Sequence, residues 1–212
     1  AVNIGLINFK GDMMELKMNI PYKFENTPEA MEELCRLISS FIKKTKVNTE
    51  KILNININIS GRVNPESGYS FSQFNFSERP LAEVLTDKIG CQVCIDNDTR
   101  AMTYGEYLQG CVKGEKNIIF VNISWGLGIG IIIDGKIYTG KSGFSGEFGH
   151  INVFDNEILC HCGKKDAWKQ KHPVPRYIEF YKNALKKASV PYCPVGQTTK
   201  SFRLHWTKLF LP

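Results

Sequence analysis

Apolar residues change their period repeatedly along the first 139 positions, and that alternation constrains the fold more than any other feature. Val2 to Asn8 alternates apolar and polar residues, Lys10-Gly11-Asp12 reads as a turn, and Met14 to Ile20 alternates back as a hairpin partner. Thr27-Pro28 is a helix start, with Thr as cap and Pro at the first helical position. Met31, Leu34, Cys35, Ile38, Phe41 and Ile42 then recur at helical spacing as one stripe. Ile52 to Ser60 alternates Ile and Asn, a strand with one buried face. Leu81 to Ile89 and Thr99 to Gln109 are predicted helices, with a short strand from Gln92 to Ile95 between them. Asn117 to Ile123, Gly130 to Ile133 and Lys136 to Thr139 are predicted strands, the last two joined by the hairpin pair Asp134-Gly135. Such a chain is an α/β protein with a mixed sheet, and 212 residues suffice for one ordinary domain or two small lobes.

Charge narrows the function. The net charge of +6 invites a nucleic-acid reading, yet residues 1–165 hold 18 Lys/Arg against 19 Asp/Glu. Residues 166–212 hold nine against two, so the tail carries all the basicity. No apolar run approaches the about 20 residues that a membrane helix needs, so a soluble chain without a membrane partner is expected. Seven irregularly spaced Cys argue against a disulfide framework and favour a reducing cytoplasm. The chain opens within a strand and without an initiator Met, so an upstream part is expected.

Three segments carry chemistry. Ile95-Asp96-Asn97-Asp98-Thr99-Arg100-Ala101 stands where a strand ends and a helix begins, the place where α/β folds put ligand-binding side chains. Asn97 and Asp98 can hold a polyol and Asp98 can accept a hydroxyl proton, or both merely turn the chain and cap the helix. Ser124-Trp125-Gly126-Leu127-Gly128-Ile129-Gly130 lies between two apolar strands. Its alternating glycines would let backbone amides approach a phosphate, or would simply make a tight hairpin. The strand–turn–strand order excludes a Rossmann or Walker loop. The third segment runs from Gly143 through Glu147 to His150, and Cys160-His161-Cys162-Gly163 follows. A carboxylate and an imidazole three apart suit sugar hydroxyls. A His and two thiolates are three of the four ligands of a tetrahedral zinc, unless the Cys are buried hydrophobes.

In this order the three segments resemble the ROK family of bacterial sugar kinases and sugar-responsive repressors, over residues 1–165. Asn97-Asp98 with Gly105-Glu106 is similar to the family's catalytic segment, and Gly126 to Gly130 to its second phosphate loop. Ser142 to His150 followed by Cys160-His161-Cys162-Gly163 is similar to its diagnostic signature. The resemblance implies a ribonuclease H-like, actin-type ATPase/sugar-kinase fold, truncated. Residues 1–116 would form a first lobe lacking its start, and residues 117–165 the beginning of the second. It further implies a sugar pocket of Asn97, Asp98, Glu147 and His150, with Asp98 at the catalytic-base position. Gly126, Gly128 and Gly130 would face the nucleotide, and His150, Cys160 and Cys162 would ligate a structural zinc. The implied partners are a monosaccharide or sugar phosphate, Mg-ATP only in a kinase, DNA only through an upstream winged helix, and further copies of the intact protein.

Two departures point to a repressor. Kinases of the family carry Thr where Trp125 stands, and small residues where Thr99-Arg100 stand. A third departure is larger. By resemblance, Gly163 should lead through two residues to Gly-Cys-Leu-Glu, which would supply the missing zinc cysteine and a further sugar-binding carboxylate. The chain instead reads Asp166-Ala167-Trp168-Lys169. Back-translation of these four residues with one G restored in front gives codons GGA, YGC, NTG and GAA. The first is Gly, the second admits Cys, the third admits Leu and the fourth is Glu. Residues 166–212 are therefore expected to be an out-of-frame tail. That expectation also accounts for five of the nine prolines and all the excess charge falling there.

Overall fold

The computed structural model describes residues 1–110, 112–123, 127–150, 192–194 and 207–209. They form two compact units, residues 1–96 and 97–212.

The first unit opens with an antiparallel pair, β1 (Val2–Ile7) and β2 (Met13–Ile20). The Asn8 side chain makes the turn between them, its Oδ1 accepting the Lys10 and Asp12 amides at 2.9 Å each. Helix α1 (Pro28–Thr45) begins as its sequence dictates. Thr27 Oγ1 accepts the Ala30 amide at 3.3 Å, and Pro28 occupies a position whose amide would lack an intrahelical partner. Met31, Leu34, Cys35, Ile38 and Phe41 of the predicted stripe are buried and Ile42 half-buried.

Strand β3 (Ile55–Ile59) begins three residues later than the Ile/Asn alternation predicts: a 3-10 turn, Thr49–Lys51, capped by Asn48, precedes it, and the Ile55 amide donates to the Gln92 carbonyl at 2.8 Å where pairing starts. A two-residue pair, β4 (Val63–Asn64) and β5 (Tyr69–Ser70), follows. It is too short to leave a periodic signal. Helix α2 (Leu81–Ile89) ends at Gly90, whose φ of +77° is the left-handed stop that glycine supplies without strain. Strand β6 (Val93–Asn97) pairs with β3. Leu34, Cys35 and Ile38 of α1, Leu81 and Leu85 of α2, Ile59, Val93 and Ile95 share one core. Burial pushes the Cys35 thiol up from its ordinary pKa, with Glu32 adding to the rise. This cysteine is accordingly a packing residue, not a nucleophile.

The second unit contains helix α3 (Asp98–Gln109) and strands β7 (Ile118–Ile123), β8 (Leu127–Ile133) and β9 (Lys136–Ile137). Its division from the first unit falls after Asp96, and α3 packs on β8. Strand β8 starts at Leu127, not Gly130, so Gly128 and Gly130 lie within a strand. The predicted Asp134-Gly135 hairpin is formed, with both residues at positive φ. Two three-residue strands, β10 (Tyr192–Pro194) and β11 (Thr207–Leu209), lie in a tail without clear periodicity. They extend the sheet in the order β10-β11-β7-β8-β9, with β11 antiparallel to β7. An unpaired strand edge accepts extended segments of many sequences, since the bonds are made by backbone alone.

Leu85 is fully buried and Phe9 is 95% exposed at the β1–β2 turn. Leu85→Ala should lower stability by about 2–5 kcal/mol in urea denaturation. Phe9→Ala should change it by less than about 0.5 kcal/mol. Equal effects would contradict the placement of the core.

Candidate functional site

The site is built on the amino end of α3. Asn97 caps the helix, its Oδ1 accepting the Arg100 amide at 3.1 Å. The capping role therefore holds, and it does not exclude ligand binding, because the Asn97 side chain remains partly exposed. Asp98 is the first helical residue, and its Oδ1 accepts the Thr99 amide at 2.7 Å. Both are half-buried at the carboxyl end of β6. A carboxylate in a helix's first turn is favoured by the helix dipole.

Below this end, α3 lies on β8 with almost no gap. A Cβ at Gly128 would fall 2.3 Å from Thr99 Oγ1, and a Cβ at Gly130 would fall 1.8 Å from Thr103 Oγ1. These two glycines let the helix approach the strand, a packing reason that the phosphate-loop reading did not include. In the antiparallel ladder Gly128 faces Asn122 and Gly130 faces Phe120, and both of those side chains are buried. The Asn122 Nδ2 donates to Thr99 Oγ1 at 3.3 Å, and its buried Oδ1 has no partner among the described residues. Thr103 returns its hydroxyl to the Thr99 carbonyl at 2.6 Å. Gly126 lies outside the described residues.

The Gly143–His150 segment follows β9 and is tied to β8. The Ile129 amide donates to the Gly146 carbonyl at 3.2 Å, and the Ser145 amide to the Thr139 carbonyl at 3.0 Å. Glu147 stands just ahead of a short 3-10 turn, Phe148–His150, with His150 Nε2 3.5 Å from Glu147 Oε2 and both side chains partly exposed. Arg100, 3% exposed, donates from Nη1 to the Gly143 carbonyl and so joins α3 to this segment. Asn97, Asp98, Glu147 and His150 thus belong to one compact unit, as do Gly128 and Gly130. Cys160 and Cys162 lie outside the described residues, and among those residues no three His, Cys, Asp or Glu side chains are grouped for a metal.

Sequence reasoning did not assign Arg100 or Asn122 a role. A signal existed for Asn122, a lone polar residue at a buried position of the run Ile118-Ile119-Phe120-Val121-Asn122-Ile123. For Arg100 the sequence offered only its departure from the small residues that the resemblance sets there, since nothing local distinguishes a buried first-turn arginine from a solvated one.

The ROK family model matches residues 1–171. A glucokinase of Streptomyces coelicolor is 34% identical over 178 residues, which cover 82% of this chain and 56% of that protein. A xylose repressor of Bacillus spizizenii is also 34% identical, over 196 residues covering 89% of this chain and 51% of the repressor. Among solved structures, a ROK family transcriptional regulator, described as a homologue of the E. coli MLC protein, superposes with a TM-score of 0.65 at 25% identity. The match covers 90% of this chain and 48% of the regulator. The chain therefore spans about half the length of the relatives it matches.

The α3–β8 contact predicts opposite effects for two glycine substitutions. Gly128→Ala should destabilise by about 1–3 kcal/mol, with partial recovery when Thr99→Ala removes the nearest atom. Gly105, exposed in α3 with open space around its Cβ position, should gain about 0.5–1 kcal/mol on substitution by Ala. Thermal or urea denaturation of both variants checks the pair, and a stabilised Gly128→Ala would refute the contact.

Proposed function

Because the chain belongs to the ROK family and shares its sugar-kinase-like fold, we propose that it is the sugar-binding, effector-sensing part of a transcriptional regulator of carbohydrate metabolism. The observation that carries this reading is the burial of Thr99 and Arg100 immediately after Asn97-Asp98. By resemblance, ROK kinases keep small residues there. Trp125, in the place of a kinase threonine, points the same way. In this reading the Asn97 amide, the Asp98 and Glu147 carboxylates and the His150 imidazole hydrogen-bond the hydroxyls of a monosaccharide or sugar phosphate. DNA is contacted through an upstream winged helix, in a cytoplasmic homo-oligomer.

The second reading is an ATP-dependent hexose kinase. It is favoured by the retained Asp98 and by a glucokinase relative as similar as the repressor. Asp98 would take the proton of a sugar hydroxyl as its oxygen attacks the γ-phosphorus of Mg-ATP, with ADP leaving. Gly126, Gly128 and Gly130 would then border the nucleotide.

A structural zinc fits the donor set only in part. His150, Cys160 and Cys162 are three of the four ligands that a tetrahedral zinc takes, and the tail offers no fourth in the expected place. No step of either reading passes through the metal, and weak zinc binding is the expectation. Supporting an out-of-frame tail over residues 166–212 are the Gly-Cys-Leu-Glu codons recovered after one inserted base. The family model matches to residue 171, and the alignments with the repressor and the regulator run further along the chain.

Three measurements test these statements. A coupled ADP-release assay on the full-length protein with glucose, xylose and N-acetylhexosamines should give no turnover. A rate of about 1 s⁻¹ or more, within the ordinary kinase range, would overturn the regulator reading. Calorimetric titration of the 212-residue chain should give only weak binding, and a sub-millimolar Kd for any of these sugars would contradict that expectation. For the tail, codons across Lys165 to Pro173 that cannot be read as Gly-Cys-Leu-Glu after a one-base insertion would end the frameshift proposal.

A further inference from the structure

Arg100 stands in the first turn of α3, three residues after the Asn97 cap, with its side chain turned inward. Burying a guanidinium is costly unless its donors are engaged. Its Nη1 donates to the carbonyl of Gly143, 43 positions along the chain. Gly143 is itself buried, with φ at +78°, and opens the segment that carries Glu147 and His150. The remainder of that segment leans on β8. A Cβ at Gly146 would fall 1.9 Å from the Ile129 carbonyl oxygen, and one at Gly149 would fall 2.6 Å from that of Leu127. Strand β8 therefore fixes the segment's later residues, and Arg100 fixes its first residue to α3.

We propose that Arg100 is a positioning residue, whose guanidinium holds the Gly143 carbonyl and so sets where Glu147 and His150 stand relative to Asn97 and Asp98. The proposal rests on the sugar-binding reading for its purpose, but its first test does not. Arginine suits the task because its planar head presents five donors in a fixed fork, whereas a lysine ammonium is a compact point charge. The helix supplies the rigid base, since the Arg100 amide is itself held by the cap.

The experiment compares Arg100→Ala, Arg100→Lys and Arg100→Gln with the parent in the full 212-residue chain. Amide hydrogen exchange is followed over residues 143–150 and, as a control, over α1. Arg100→Ala should speed exchange in 143–150 at least tenfold, leave α1 unchanged, and recover protection when millimolar ethylguanidinium is added. Arg100→Lys should recover less than the added guanidinium does. If Arg100→Ala does not fold, Arg100→Gln, which keeps two N–H donors and most of the volume, is read in the same way. Exchange within twofold of the parent would overturn the proposal. So would an equal rise across all of 97–150 without rescue, which marks general loosening of the unit. Glucose and xylose, titrated into the parent and each variant, give the second readout. Shifts of the Glu147 and His150 signals should weaken with loss of protection. If neither sugar moves those signals in the parent while protection still falls and is rescued, Arg100 stands as a positioning residue and the reading that this chain holds glucose or xylose fails.

Discussion

The second unit depends on one contact, the seating of α3 on β8 through two threonines and two glycines. Four residues of helix advance about 6 Å and two residues of strand about 6.8 Å, so Thr99 and Thr103 fall in step with Gly128 and Gly130. A side chain at either glycine would have to displace the helix. The amino end of α3 is therefore held at a fixed height above the sheet, and Asn97 and Asp98 with it. The same close approach brings Thr99 to Asn122 and lets Arg100 reach Gly143.

That seating puts polar residues where an α/β protein ordinarily places Val, Ile and Leu. Thr99, Arg100, Thr103 and Asn122 are all buried, and each makes at least one hydrogen bond. The exception at the atomic level is Asn122 Oδ1, which finds no donor among the described residues. A polar layer of this kind is sensitive to geometry, because small displacements break bonds that water cannot replace. The first unit is the opposite case. Its core is a continuous apolar cluster under α1 and α2, in which even Cys35 serves as a small hydrophobe. The first unit is closed by one apolar cluster, while the second adds this polar layer to the buried Ile118, Phe120, Val121 and Ile132.

The first unit was largely legible in the sequence for that reason. Period-two and period-3.6 patterns follow directly from burying one face, and the Thr27-Pro28 start and the Leu81–Ile89 helix stand where the patterns put them. The Ile/Asn alternation overran β3 at its start because a strand begins where its partner does, at the Ile55 amide bonded to the Gln92 carbonyl, and pairing leaves no periodic mark. In the second unit the residue types were legible and their reasons were not. Gly128 and Gly130 read as a phosphate loop because alternating glycines permit either close ligand approach or close helix approach. Only the strand assignment and the threonines above them reveal the second. The Asn97 cap was legible from its position alone. The Arg100–Gly143 tie joins residues distant in sequence through a backbone carbonyl, and a carbonyl leaves no trace in residue identity.

The most direct measurement of the account is the nuclear Overhauser contact between the threonine methyls of α3 and the glycine α-protons of β8. The Thr99 methyl carbon lies 3.1 Å from where a Gly128 Cβ would be, and the Thr103 methyl carbon lies 2.9 Å from the corresponding point at Gly130. Strong contacts Thr99–Gly128 and Thr103–Gly130, with weaker ones between the crossed pairs, are the predicted result. Their absence, or a shifted register pairing Thr99 with Gly130, would contradict the arrangement that brings Asn97, Asp98, Glu147 and His150 into one unit.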